Sequence, residues 1–312
     1  MNSYSEAPQI NLTPDRKRLS MRHGPIDLII EGFPEENSRP DLGIYRELIN
    51  FFPSILPELS EEIFLLRKKL GTKSFCPKSE IGKRMFFAAK KFEKDHFVTP
   101  MIAVAGAISD HFLYLMKRSG IINKAYVNNG GDIAIYLGSE QKFEVGICSD
   151  IEKQNVSHII SIGRNDGIGG LATSGWKGRS HSLGIADAVT VLACDSATAD
   201  AAATLIANAV NLPNENTSIE RMKASDLMPD SDLGSKLVTV KVGKLSASEK
   251  LEALETGSYL ANRMIEENFI HSAYLSLQGK YTLCNGKKNI LIRKKNSLEG
   301  GTQNSYRGIS YA

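Results

Sequence analysis

Long apolar runs, paired cysteines and a strong excess of one charge are all missing from this 312-residue chain. No uncharged apolar stretch reaches the ~20 residues needed to span a bilayer, so no membrane segment is predicted. The opening residues, MNSYSEAPQINLTPDRKR, lack the apolar core of a signal peptide, which makes the cytoplasm the expected compartment. Cys76, Cys148, Cys194 and Cys284 stand far apart with no C-x-x-C pair, excluding a zinc knuckle or redox dithiol and suiting free thiols. Lysine and arginine number 38 against 35 acidic residues, a formal net charge of +3. So small an excess argues against a nucleic-acid protein, although it suits an anionic small ligand. Walker A, G-x-G-x-x-G, serine-nucleophile, HExxH and EF-hand motifs are likewise absent.

What is there suits one large domain or two closely packed ones, with 42% hydrophobic and 23% charged residues. The expected organisation is a flexible N-terminus over 1–15, a single domain over 16–290 with its motifs centred in 96–212, and a C-terminal tail over 291–312. RLSMRHGPIDLIIEGF predicts two strands turning at His23-Gly24-Pro25. Residues 41–70 read as helices broken at Pro53 and Pro57, and PKSEIGKRMFFAAKKF as a short helix. A long apolar helix follows Thr99-Pro100 and stops at Gly120. KAYVNNGGDIAIYLG predicts a hairpin around Asn128-Asn129-Gly130-Gly131, with further strands at KFEVGICS and HIISIG. The glycine-laden RNDGIGGLATSGWKGRSHSLGIAD reads as one long loop before the strand AVTVLA and the helix DSATADAAATLIANAV. PNENTSIERMKASDLMPDSDLGS reads as a polar link, followed by strand LVTVKV, a helix over 246–267 and two last strands.

Three places carry candidate chemistry. Asp200 and Thr204 lie four residues apart in an alanine-rich helix and therefore share a face. Two oxygens so placed can hold a hard cation such as Mg2+. Equally, Asp200 can answer the helix dipole while Thr204 bonds back to the carbonyl one turn earlier. NNGGD places glycines where backbone can approach a ligand, or where an ordinary hairpin turns; Asp132 caps that turn or faces a ligand. ATSGWKGRSHS gathers hydroxyls, Lys177, Arg179 and His181 in one segment, a mixture that suits an anion or a mobile surface loop. His181 can act as acid or base near neutral pH. Asp187 can orient His181, serve as an acid itself, or be an ordinary residue at a strand entry.

In order and spacing, PMIAVAGAISDH, VNNGGDIAIYL and ATSGWKGRSHSLGIADAVTVLACDSATADAAATLIANAV resemble the ApbE-like superfamily, best known for FAD:protein FMN transferases. They are most similar to a stand-alone, functionally uncharacterised branch of it. The resemblance covers residues 96–212, and HGPIDLIIEG extends it toward the N-terminus. It implies an α+β, ApbE-like fold with mixed, largely antiparallel sheets packed by helices. By motif it further implies Asp200, Thr204 and the carbonyl of Ala107 as ligands of Mg2+. Asn129, Gly130, Gly131 and Asp132, with Thr173, Ser174, Gly175 and Ser182, would lie against FAD or FMN, and His181 and Asp187 at the reacting centre. Two departures stand out: Asp110 occupies the place of the transferases' lysine, and HSLGIAD replaces their H-I-I-D-P-x-T-G run. Flavin-nucleotide binding is thus better supported than FMN transfer to an acceptor protein. The alternatives are a non-catalytic flavin-binding accessory protein for a separate redox enzyme, or an enzyme redirected to another small anionic metabolite. The small-residue helices are compatible with a homodimer.

Overall fold

The structure is a computed structural model that describes residues 7–15, 17–34, 42–71, 75–118, 122–148, 156–213, 216–286 and 292–294. In chain order it begins β1 (Gln9–Leu12), β2 (Arg18–His23), β3 (Ile26–Phe33), α1 (Leu42–Phe51), α2 (Ile55–Glu61), α3 (Ile63–Leu66), α4 (Glu80–Lys90) and α5 (Val104–Arg118). It continues β4 (Lys124–Asn129), β5 (Asp132–Leu137), β6 (Lys142–Cys148), β7 (Val156–Gly163), β8 (Gly170–Ser174), β9 (Ala188–Ala193) and α6 (Ser196–Ala209). Last come β10 (Ile219–Lys223), α7 (Ala224–Leu227), β11 (Leu237–Val242), α8 (Ala247–Glu266), β12 (Ser272–Leu277), β13 (Lys280–Asn285) and β14 (Ile292–Lys294). The fold class is α+β with largely antiparallel pairing, as expected from the sequence.

Two compact units divide these elements. The first comprises Met1–Lys142, Gly163–Leu171 and Cys194–Asp200. Its strands run in the order β1-β2-β3-β4-β5-β8, antiparallel throughout. Apolar residues alternate inward along β2 and β3, where Leu19, Met21, Leu28 and Ile30 are fully buried, so period-two patterning fixes the register. Helix α5 packs on β4 and β5 and buries Ala107, Phe112 and Met116. It is entered through extended Thr99 and a 3-10 turn led by Pro100, and closes on Lys117 and Arg118, which complement its dipole.

The second unit comprises Phe143–Ile162, Ala172–Ala193 and Ala201–Ala312. In it β9 and β12 are buried along their whole length and pair antiparallel, with β13 beyond and α8 packed against β12 and β13. A capping box starts α8: Ser246 Oγ accepts the Glu249 N–H while the Glu249 carboxylate accepts that of Ser246.

Four expectations are corrected. Pro57 does not break a helix; it sits in the first turn of α2, where an amide proton is not needed. The long glycine-laden loop contains β8, and the polar link contains β10 and α7. Residues 292–294 of the expected tail form β14, paired antiparallel with β7. The rest of that tail, and residues 1–6 of the expected flexible N-terminus, lie outside the described residues. No helix among the described residues is long and apolar enough to cross a membrane.

Candidate functional site

In the first unit the hairpin expected at NNGGD is present, with Asn129 paired to Asp132 across a two-residue turn. Gly130 and Gly131 take φ of 65° and 112°, conformations open to glycine at no steric cost. The asparagines are spent on holding the turn. Asn128 Oδ1 accepts the Gly131 N–H at 2.8 Å, and Asn129 Oδ1 accepts that of Asp27 at 3.1 Å. Asn129 Nδ2 donates to the Ala105 carbonyl at 3.3 Å, and Ser109 Oγ donates to the Asp132 carbonyl at 2.7 Å. These two bonds tie the turn to the start of α5, which carries Ala107.

Asp200 lies against the same helix start. Its Oδ2 accepts the Gly106 N–H at 3.0 Å, and the Ala105 N–H also serves the carboxylate. In return, Asp110 of α5 reaches the start of α6, where Ser196 N–H donates to its Oδ1 at 3.0 Å and Ala197 N–H to its Oδ2 at 2.8 Å. Each acid therefore satisfies orphan amides at the N-terminus of the other helix. The backbones approach closely at this crossing, since a Cβ on Gly106 would stand 2.4 Å from the Ser196 carbonyl oxygen. Asp195 adds a local cap, accepting the Thr198 N–H at 2.7 Å, with Lys91 Nζ 3.6 Å from its other oxygen.

Charge at this crossing is poorly compensated. Burial pushes Asp110 up to about 7, helped by the negative charge of Asp195 and opposed by the amides of Ala197 and Ser196. Burial likewise raises Asp200, opposed by the Gly106 and Ala105 amides and aided by the charge of Asp110. No lysine, arginine or histidine among the described residues pairs with Asp200. Thr204 follows Asp200 by one turn of α6 on the same face, partly exposed. No group of three or more His, Cys, Asp or Glu among the described residues is arranged to hold a metal. One carboxylate with a hydroxyl and a carbonyl, the set expected from the sequence, contains too few such residues to form that kind of group.

In the second unit the segment from Ser174 to Asp187 closes on itself. Trp176 N–H donates to the Ala186 carbonyl at 3.0 Å, and Gly178 N–H to that of Gly175 at 3.1 Å. Thr173 Oγ1 lies 2.8 Å from Thr190 Oγ1 on β9. Ser182 is buried; its Oγ donates to Asn208 Oδ1 at 3.2 Å and its carbonyl accepts the Thr239 N–H. The Asp187 carboxylate accepts the Gln278 N–H and lies 3.8 Å from Lys177 Nζ. It is engaged there and not with His181, whose Nε2 is buried without a hydrogen-bond partner. Trp176 Nε1 is also buried and unpartnered. Two polar atoms left open within six residues are costly unless another group reaches them.

A family model described as AbpE bacteria matches residues 10–283. The chain belongs to that family. Among curated relatives of this AbpE-family protein, a UPF0280 protein of Methanothermobacter thermautotrophicus is 38% identical over 143 residues, covering 45% of this chain and 52% of the relative. Another, from Methanobrevibacter smithii, is 34% identical over 182 residues, covering 57% of this chain and 73% of the relative. The chain thus spans about half the length of the first of these curated relatives. Among solved structures, the flavin transferase ApbE from Vibrio cholerae aligns with a TM-score of 0.49 at 12% identity, covering 90% of this chain and 97% of that one. The apo form of the Pseudomonas stutzeri flavinyl transferase ApbE gives 0.45 at 10% identity, covering 90% and 94%.

The role of Asp110 is what the sequence did not disclose. Its signals there are an acid within a mostly apolar helix, Val104 to Met116, and a departure from the lysine of the resembling transferases, neither of which names its partner amides.

Proposed function

We propose that this AbpE-family protein is a Mg2+-dependent enzyme acting on FAD or a related dinucleotide at its pyrophosphate. The observation that carries the proposal is Asp200: a desolvated carboxylate, aimed by two backbone amides and paired with no cationic side chain among the described residues. Such a group fits a divalent ion, which supplies the missing positive charge. Thr204 and the carbonyl of Ala107 complete the protein's share of the ligands. When bound, the ion would neutralise pyrophosphate charge and stabilise charge developing at phosphorus.

The chain's own residues take the remaining tasks. Asn129, Gly130, Gly131 and Asp132 form a rigid turn against the nucleotide, and Thr173, Ser174 and Gly175 lie along the flavin. Ser182 fixes that loop through Asn208. His181 holds or moves the proton at Nε2, the atom left without a partner. Asp187 anchors the loop through Gln278 and Lys177, so its contribution to catalysis is to hold the segment that carries His181.

A second reading, flavin binding without turnover in the service of a separate redox enzyme, is favoured by one observation: nothing orients the His181 ring through Nε2. Titration with FAD, with and without Mg2+, separates the two when Trp176 fluorescence and AMP release are followed together. Trp176 is the single tryptophan and lies in the loop concerned. Saturable, Mg2+-dependent quenching with AMP release supports the enzyme, and quenching alone supports the binding protein. An absent response, confirmed by calorimetry, would end the flavin reading in favour of another small anionic metabolite.

A further inference from the structure

We infer that Asp110 is the positioning residue for Asp200: by gripping the first amides of α6 from within α5, it fixes where Asp200 stands on its cation. This deepens the proposed function and rests on it for the cation. Four amides of two helix starts are divided crosswise between two acids, Ala105 and Gly106 to Asp200, Ser196 and Ala197 to Asp110. The local cap stops at Thr198, whose amide Asp195 serves and whose hydroxyl accepts from Lys91 at 2.6 Å, so the Ser196 and Ala197 amides take their acceptor from α5. What Asp110 adds is the connection between helices. The crossing has no slack to absorb its loss, with the Gly106 backbone set directly against Ser196. A slide of α6 along α5 would take Asp200 off the Gly106 and Ala105 amides that aim its carboxylate. Residues that orient metal ligands without touching the metal act in this way.

The test uses the full chain and two readouts, amide hydrogen exchange and Mn2+ affinity by electron paramagnetic resonance. In Asp110→Asn, exchange should quicken at Ser196 and Ala197 and also at Gly106, whose acceptor is Asp200. Mn2+ affinity should fall about tenfold or more. Asp195→Ala, which removes only the local cap, should quicken exchange at Thr198 and leave both Gly106 and Mn2+ affinity near wild type. Should Asp110→Asn fail to fold, Asp110→Glu keeps an anionic acceptor but displaces the contact by one methylene. It should keep Ser196 and Ala197 protected while weakening Mn2+ binding. Unchanged Gly106 exchange in Asp110→Asn, or wild-type Mn2+ affinity in either Asp110 variant, overturns the inference. Wild-type protein that binds no Mn2+ refutes the metal site instead, and Gly106 exchange then decides by itself whether Asp110 positions Asp200.

Discussion

His111 makes a sharp prediction about acid stability. Its ring is 6% exposed, lies 4.9 Å from the ring of Phe51 and 6.3 Å from that of Tyr114, and leaves Nδ1 buried without a hydrogen-bond partner. Burial, with the charge of Arg84 acting the same way, lowers its pKa from 6.5 to about 4. The unfolded chain therefore takes up a proton near pH 6.5 that the folded protein refuses until about pH 4. Stability from keeping this ring neutral is fully present above pH 6.5, is lost as pH falls through that window, and changes no further below it. With about 1.4 kcal/mol for each pH unit between the two pKa values, the loss is roughly 3 kcal/mol. Urea unfolding of wild type and His111→Phe at pH 7.5, 6, 5 and 4 measures it, since carboxylate titrations common to both proteins cancel in the difference. Phenylalanine keeps a ring against Phe51 and removes the orphaned nitrogen, so the variant should gain on wild type progressively as pH drops. Parallel stability profiles for the two proteins between pH 6.5 and 4 would refute a buried neutral His111.

Three further outcomes test the site. Gly106→Ala should destabilise the protein by roughly 1–3 kcal/mol in urea, because its Cβ meets the backbone oxygen of Ser196 at 2.4 Å and neither helix can yield without moving. Asp200→Asn retains one acceptor for the Gly106 amide, so it should melt near wild type yet lose any Mg2+ dependence of the FAD response. A variant that keeps that dependence would remove Asp200 from the metal site. His181→Ala should bind FAD as wild type does and release no AMP, and normal release would take His181 out of the mechanism.

Much of the fold was legible because periodicity is local. The alternation in IDLII places Leu28 and Ile30 in the core, and Asn-Gly-Gly-Asp has few stable outcomes other than a tight hairpin. β8 escaped because GLATS has one β-branched residue, Thr173, and follows Gly169; its place beside β5 comes from residues far away in sequence. β10 and α7 escaped for a similar reason, since IERMK is mostly exposed and carries little apolar signal. At the site, the helical spacing of Asp200 and Thr204 could be read directly, whereas the amides aimed at Asp200 belong to residues 105 and 106. No pattern within one helix reports an acceptor that sits on another.

Asp110 shows how the two kinds of information combine. Set against the resemblance, it is a departure, an acid where the transferases carry a lysine. In the folded chain that position faces the Ser196 and Ala197 amides at 3.0 and 2.8 Å, donors that an ammonium group could only repel. The acid suits the close crossing at Gly106, and replacing Asp110 by lysine would bury a cation against the positive end of α6. A lysine variant should consequently unfold more readily than Asp110→Asn, which removes the charge without reversing it. Equal stability of the two variants in urea would mean that the side chain at 110 escapes to solvent and that the helices are held by packing alone.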